Sequence, residues 1–209
     1  MAQKYKVFFF ENVLLFTNNT DLKRKTTILY KYSTIDDLKT FLLGYVIKST
    51  KQHVRIVCTD VEKTWRDFCS LFEIRKAAGG LVLNNKGNYL FIRRNGFWDI
   101  PKGHIEGNET SECCGLREVE EECGVSGMQI QQLICTTFHT YFFGEQLVLK
   151  ATDWFLMKLD TACPTLTPQT EEGITEVTWI EPKHINTILE NSYASISEVI
   201  KQLRKKGSL

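Results

Sequence analysis

Long apolar runs are missing from this 209-residue chain. Stretches such as Val7–Phe10 and Val13–Phe16 fall far short of the roughly 20 residues that cross a bilayer as a helix. The opening MAQKYKVFFFENVLLF breaks its apolar run at Glu11-Asn12 and has no small-residue cleavage site, unlike a secretory signal. Charge of either sign is not in excess: the net value is +1, so no global field draws the chain to nucleic acid or an anionic membrane. Disulfide and zinc patterns are absent too. Cys58, Cys69, Cys113, Cys114, Cys123, Cys135 and Cys163 are an odd number, without a CxxC pair or a suitably spaced histidine. Adjacent Cys113 and Cys114 on one helix are poorly placed to pair with each other. These thiols read as reduced and mostly buried, which fits a cytoplasmic protein. His53, His104 and His184 have no Ser or Cys motif beside them, which removes the usual histidine-activated nucleophiles. No repeat and no low-complexity linker is present. What remains is an ordinary globular composition, 43% hydrophobic and 24% charged.

Two halves meet near residue 73. In residues 1–72, Tyr5–Phe10, Val13–Phe16, Thr26–Tyr30 and Val54–Cys58 suit strands. Asn18–Asp21 and Lys23–Lys25 form a polar connection. Thr34 opens a helix with Leu38, Phe41, Leu42 and Tyr45 on one side, and Asp60 caps another carrying Val61, Trp65 and Phe68. This order predicts a small α+β domain. It holds 12 Lys/Arg against 7 Asp/Glu, a mild excess scattered along the chain, as on a solvated surface.

Residues 73–209 read differently. Lys76–Leu83 is a strand whose Gly79-Gly80 admits a close neighbour. Asn84–Asn88 is a hairpin turn and Tyr89–Arg93 the returning strand. Pro101 keeps Ile100 extended. Thr110 or Ser111 caps a helix that ends at Gly124. Strands over Met128–His139, Gln146–Leu159 and Val177–Ile180 follow. Ile196, Val199, Ile200 and Leu203 mark a final amphipathic helix.

The chemistry is concentrated in Gly103–Val125, GHIEGNETSECCGLREVEEECGV. On a helix, Glu118, Glu121 and Glu122 stand at i, i+3 and i+4 and share a face. Like charges that close repel unless a cation lies among them. Hard oxygen donors of this kind select Mg²⁺, or Mn²⁺ in its place, over zinc or copper. Glu120 is expected to face solvent.

Gly103, Glu109, Arg117-Glu118, Val119, Glu121-Glu122, Gly124 and Val125 stand at the spacing of the Nudix box, and the chain resembles that hydrolase family over about residues 73–209. The resemblance implies an α/β/α sandwich around a mixed sheet, so the expected fold class is α+β with a small N-terminal α+β domain. It also implies metal-assisted hydrolysis of a phosphoanhydride. Glu118 and Glu122 are then the main ligands, Glu121 shares metal or water contacts, the Gly103 carbonyl adds a donor, and Arg117 pairs with Glu109. The family recruits its general base from the box or from a later loop. Thr170-Glu171-Glu172-Gly173 resembles that loop, with Glu172 preferred to Glu171 and an exposed acidic turn as the plain alternative.

Trp98-x-x-Pro101-Lys102-Gly103-His104 resembles the approach segment of dinucleoside polyphosphate hydrolases, and diphosphoinositol polyphosphate hydrolases share part of it. Lys102 and Arg93 or Arg94 are the expected phosphate contacts, and Tyr141 the expected stacking surface for a base. The expected ligand is a small nucleotide or polyphosphate, with no nucleic-acid or membrane partner; a homodimer is compatible with the sequence. The competing class is a ligand-sensing or partner-binding relative without turnover. Such proteins lose box glutamates, and this one retains them all.

Overall fold

The protein is described from a computed structural model covering residues 5–9, 12–19, 27–47, 52–144, 146–160 and 165–209. Phe10, Thr20-Asp21, Lys23–Lys25, Thr26 and Cys163 lie outside the described residues. Two compact units are present. One comprises residues 1–75 with 138–150, the other residues 76–137 with 151–209. The chain therefore does not divide once near residue 73; the first unit takes back the outer part of a later hairpin. Among the described residues, no helix is long and apolar enough to cross a membrane.

In the first unit, strands β1 (Tyr5–Phe9) and β2 (Asn12–Thr17) form an antiparallel pair. Strand β3 (Thr27–Lys31) precedes helix α1 (Ile35–Ile47), and β4 (His53–Val57) precedes helix α2 (Val61–Cys69). Both β2 and β3 lie parallel to β4. Parallel neighbours need a long crossover, and α1 supplies the one between β3 and β4. Thr34 Oγ1 accepts from the Asp37 amide at 3.2 Å, and Asp60 caps α2 by accepting from the Lys63 amide at 2.9 Å. Both helices pack on one face of the strands: Leu38, Leu42, Trp65 and Phe68 meet Val7, Phe9, Leu14, Phe16, Val54 and Ile56 in a single core. Residues 138–140 run parallel to β1, and Phe138 joins that core.

In the second unit, β5 (Glu73–Asn84) and β6 (Tyr89–Arg94) pair antiparallel. Asn84 closes their turn by accepting from the Lys86 and Asn88 amides, each at 2.9 Å. β7 (Phe97–Asp99) pairs with β6, and β8 (Lys102–His104) with β5. Helix α3 (Ser111–Cys123) follows, then β9 (Gln129–Phe143), β10 (Gln146–Leu159), β11 (Ile174–Ile180), α4 (Ile185–Glu190) and α5 (Ala194–Lys205). The strand order in this unit is β11-β6-β5-β10-β9.

Strand alternation sorts side chains into two cores. Val82, Leu90, Ile92, Phe155 and Met157 pack with Val119 and Cys123 of α3. Leu81, Tyr89, Phe91, Trp154 and Leu156 pack with Ile185 of α4 and with Ile196, Val199, Ile200 and Leu203 of α5. A sheet between helical layers is the α/β/α sandwich.

Gly79 decides where β8 runs. A Cβ there would stand 2.3 Å from the Pro101 carbonyl oxygen, so only glycine lets that backbone lie against β5. Backbone cannot yield as a flexible side chain does, and overpacking of this kind costs about 1–3 kcal/mol. Gly79→Ala should lose about that much in urea unfolding. A midpoint and slope equal to wild type would contradict this close approach.

Candidate active site

Helix α3 starts cleanly: Thr110 Oγ1 accepts from the Cys113 amide at 3.2 Å. Gly124 closes it in the left-handed region at φ 70°. Between these caps, Val119 and Cys123 turn into the core and carry Glu118 and Glu122 inward with them. Glu122 is fully buried and Glu118 is 7% exposed. Glu120 faces solvent, as expected. Glu121 does not share the buried face: its side chain is about half exposed, because the i+3 position sits at the rim of the stripe.

Gly103 on β8 faces the Glu118 carboxyl so closely that a Cβ would lie 2.1 Å from its carbon. A residue with a side chain would displace that carboxylate. From the same strand, the Lys102 amide donates to Glu122 Oε2 at 3.0 Å.

Two guanidinium groups offset the acidic charge. Arg117 donates to Glu109 at 2.6 and 3.2 Å, to Glu118 at 2.8 Å, to Glu121 at 2.8 Å and to the His104 carbonyl at 3.0 Å. The eight-residue interval between Glu109 and Arg117 is closed by the loop folding back. Arg94 donates through Nη1 to Glu122 at 3.0 Å and through Nη2 to Glu172 at 2.5 Å. Strand alternation separates it from Arg93, whose guanidinium lies 5.9 Å from the Trp98 ring centre.

Glu172 arrives by a docked segment. The Thr167 and Gln169 amides donate to the Cys123 and Glu122 carbonyls at 3.0 and 3.2 Å, satisfying carbonyls that the end of α3 leaves open. A single 3-10 turn, Thr170–Glu172, then ends at Gly173, φ 74°. Glu171 is exposed and belongs to no ion pair described in the site.

Lys102 Nζ pairs with Asp99, whose carboxylate also accepts from the Ile100 amide at 2.8 Å. Asp99 is 2% exposed and was not foreseen from the sequence, although an acid three residues before Lys102 was a readable signal. Tyr141 belongs to the first unit, where it interacts with Arg75.

Burial sets the protonation of this cluster. Desolvation raises Glu122 from 4.5 to about 7, outweighing the opposing charges of Lys102 and Arg94. Desolvation also raises Glu118 against the pull of Arg117. Glu109 moves the other way, to about 2, because Arg117 hydrogen-bonds its charged form. Burial pushes the Cys114 thiol up to about 12, so it is no thiolate nucleophile.

Among the described residues, no three His, Cys, Asp or Glu side chains converge as a ready metal cluster. Arg117 and Arg94 hold the carboxylates instead. The donor set still suits a hard divalent cation: carboxylate oxygens, two of them buried, against a backbone cradle that a Cβ would fill.

A family model described as NUDIX domain matches residues 73–203. An 8-oxo-dGTP diphosphatase of Proteus vulgaris is 34% identical over 70 residues, covering 31% of this chain and 62% of that relative. The chain thus spans about three-fifths of that curated relative's length. Among solved structures, a C. elegans Ap4A hydrolase binary complex superposes with TM-score 0.50 at 20% identity, over 63% of this chain and 96% of its own. A MutT protein from Methanosarcina mazei Go1 gives TM-score 0.52 at 19% identity, over 66% and 98%. At such identities these structures speak to the fold alone.

The raised Glu122 fixes a sign. A carboxyl whose pKa rises on folding contributes stability in full below its unfolded value of 4.5. That contribution is lost as pH rises through about 7. In EDTA, wild type should therefore lose more stability than Glu122→Gln between pH 5 and pH 8, by on the order of 2 kcal/mol in urea titrations. Parallel pH profiles for the two proteins would refute the raised value.

Proposed function

The chain belongs to the NUDIX domain family, and from that premise we propose that it is a divalent-metal-dependent pyrophosphohydrolase acting on a nucleotide. The observation that carries this reading is the pair of buried carboxylates, Glu118 and Glu122, set against Gly103 and balanced by arginines. A purely structural helix gains nothing from burying two acids a turn apart.

In this reading Glu118, Glu122, Glu121 and the Gly103 carbonyl hold Mg²⁺, with Mn²⁺ as the alternative ion. When bound, the ion supplies charge neutralisation at the phosphates and activation of water. Arg117 positions the ligands: through Glu109, Glu118 and Glu121 it ties the loop after β8 to α3. Glu172 is the proposed general base. Arg94 links it to Glu122, and Glu171 has no such tie among the described contacts. Arg94 and Lys102 are the proposed phosphate donors, each already beside the carboxylates. Arg93, directed to Trp98, is the weaker candidate.

The proposed substrate is a dinucleoside polyphosphate or a related nucleotide, on the strength of Trp98-x-x-Pro101-Lys102-Gly103-His104. Tyr141, in the first unit, is the proposed base-stacking residue.

Glu122→Gln should keep the fold and lower metal-dependent turnover at least about 100-fold, a loss near 3 kcal/mol of transition-state stabilisation. The assay uses diadenosine polyphosphates, ADP-ribose, nucleotide sugars, nucleoside triphosphates and diphosphoinositol phosphates, with products identified. Wild-type rates in the variant would refute the mechanism. An inert wild type across the panel would favour ligand sensing without turnover.

A further inference from the structure

Glu122 has two hydrogen-bond donors, and they differ in kind. Its Oε2 accepts from the Lys102 backbone amide at 3.0 Å, a neutral donor fixed in β8. Its Oε1 accepts from Arg94 Nη1 at 3.0 Å, which brings a full positive charge. Among the described residues, Arg94 is the one side chain that hydrogen-bonds this fully buried carboxylate. A divalent ion held by Glu122 would therefore meet a cation already in place.

The two arginines of the site are held very differently. Arg117 donates to three carboxylates, Glu109, Glu118 and Glu121, and to the His104 carbonyl. Turning it away would leave several groups unpaired at once. Arg94 has two partners, the buried Glu122 and the 42% exposed Glu172. An exposed carboxylate holds a guanidinium weakly, because water competes for both groups. The Arg94 backbone is fixed, since the residue closes β6 between Phe97 of β7 and Ile174 of β11. Its side chain is 25% exposed, and Phe97, which shares its face of the sheet, is 45% exposed. Side-chain rotation alone can thus take the guanidinium off Glu122 toward open surface, with no strand displaced.

A guanidinium and a divalent ion on one buried carboxylate repel each other, the more so where water is excluded. Phosphate oxygens are a better partner for the guanidinium than exposed Glu172, with more charge and a bidentate match. We propose that Arg94 is a transferable counter-charge that couples the two ligands of the site. On Glu122 it opposes the divalent ion; on the phosphates of the nucleotide it no longer does. This rests on the reading of Glu122 as a metal ligand and extends it, giving one side chain opposite effects on ion and nucleotide. Coupling of this kind is reciprocal, so each ligand tightens the other by the same factor. The site then favours an ion and a nucleotide together over the ion alone.

The first measurement is Mn²⁺ binding to the full chain by electron paramagnetic resonance, without nucleotide. It is made under argon at about pH 8.5, where protons compete little for carboxylates. Arg94→Gln should bind Mn²⁺ at least about 5-fold more tightly than wild type. Arg94→Lys, which keeps the charge, should stay within about 2-fold of wild type. The second measurement is calorimetric binding of imidodiphosphate, a pyrophosphate analogue. In saturating Mn²⁺, Arg94→Gln should weaken that binding at least about 5-fold. In EDTA, where the carboxylates keep Arg94, the loss should be under about 2-fold.

An arginine with a merely structural role predicts the reverse for the ion, since its loss would disturb Glu122 and weaken Mn²⁺ binding. That result, or equal Mn²⁺ affinity in wild type and Arg94→Gln, overturns the coupling and leaves the metal-dependent reading standing. No Mn²⁺ binding by any of the three proteins overturns both. Should Arg94→Gln be unfolded in EDTA, folding on addition of Mn²⁺ supports the coupling. A chain still unfolded at Mn²⁺ concentrations that saturate wild type overturns it.

Discussion

Two carboxylates buried one helical turn apart, Glu118 and Glu122, are the constraint on which the site depends. Like charges removed from water repel and lose hydration, so a fold keeps them only if their charge is answered. Here the answer is divided. Arg117 and Arg94 hydrogen-bond the ionised forms, while burial still raises both acids above their ordinary values. The compensation is incomplete, and a hard cation is the partner that would complete it. Gly79 and Gly103 follow from the same requirement. Each omits a side chain where β8 must press against β5 and against the Glu118 carboxyl.

The sandwich aims the remaining groups. Alternation along β6 sends Arg94 toward the α3 side and Arg93 toward Trp98, so neighbours in sequence have separate tasks. The end of α3 leaves carbonyls open, and the backbone of Thr167 and Gln169 satisfies them. That docking sets the turn bearing Glu172 beside Arg94. A carboxylate distant in sequence thus joins the cluster through backbone hydrogen bonds that are independent of side-chain identity.

What could be read in the sequence was what is local. Gly103 to Val125 is one loop and one helix, so helical spacing grouped Glu118 with Glu122, and the family resemblance added the pairing of Arg117 with Glu109. The α5 stripe and the Asn84–Asn88 turn were legible for the same reason. Glu121 stands at the exposed rim of that stripe and shares Arg117 with Glu118. Lys102 and Arg94 were foreseen as cations, but their partners Asp99 and Glu172 depend on tertiary placement. The return of residues 138–150 to the first unit could not be seen, since strand pairing between distant segments leaves no periodic mark.

The most direct test of the central claim is Mn²⁺ binding, counted by electron paramagnetic resonance on wild type and on the Glu118→Gln/Glu122→Gln double variant. The buried pair is expected to make a site that wild type fills and the folded double variant does not. Equal binding by both proteins would contradict the account.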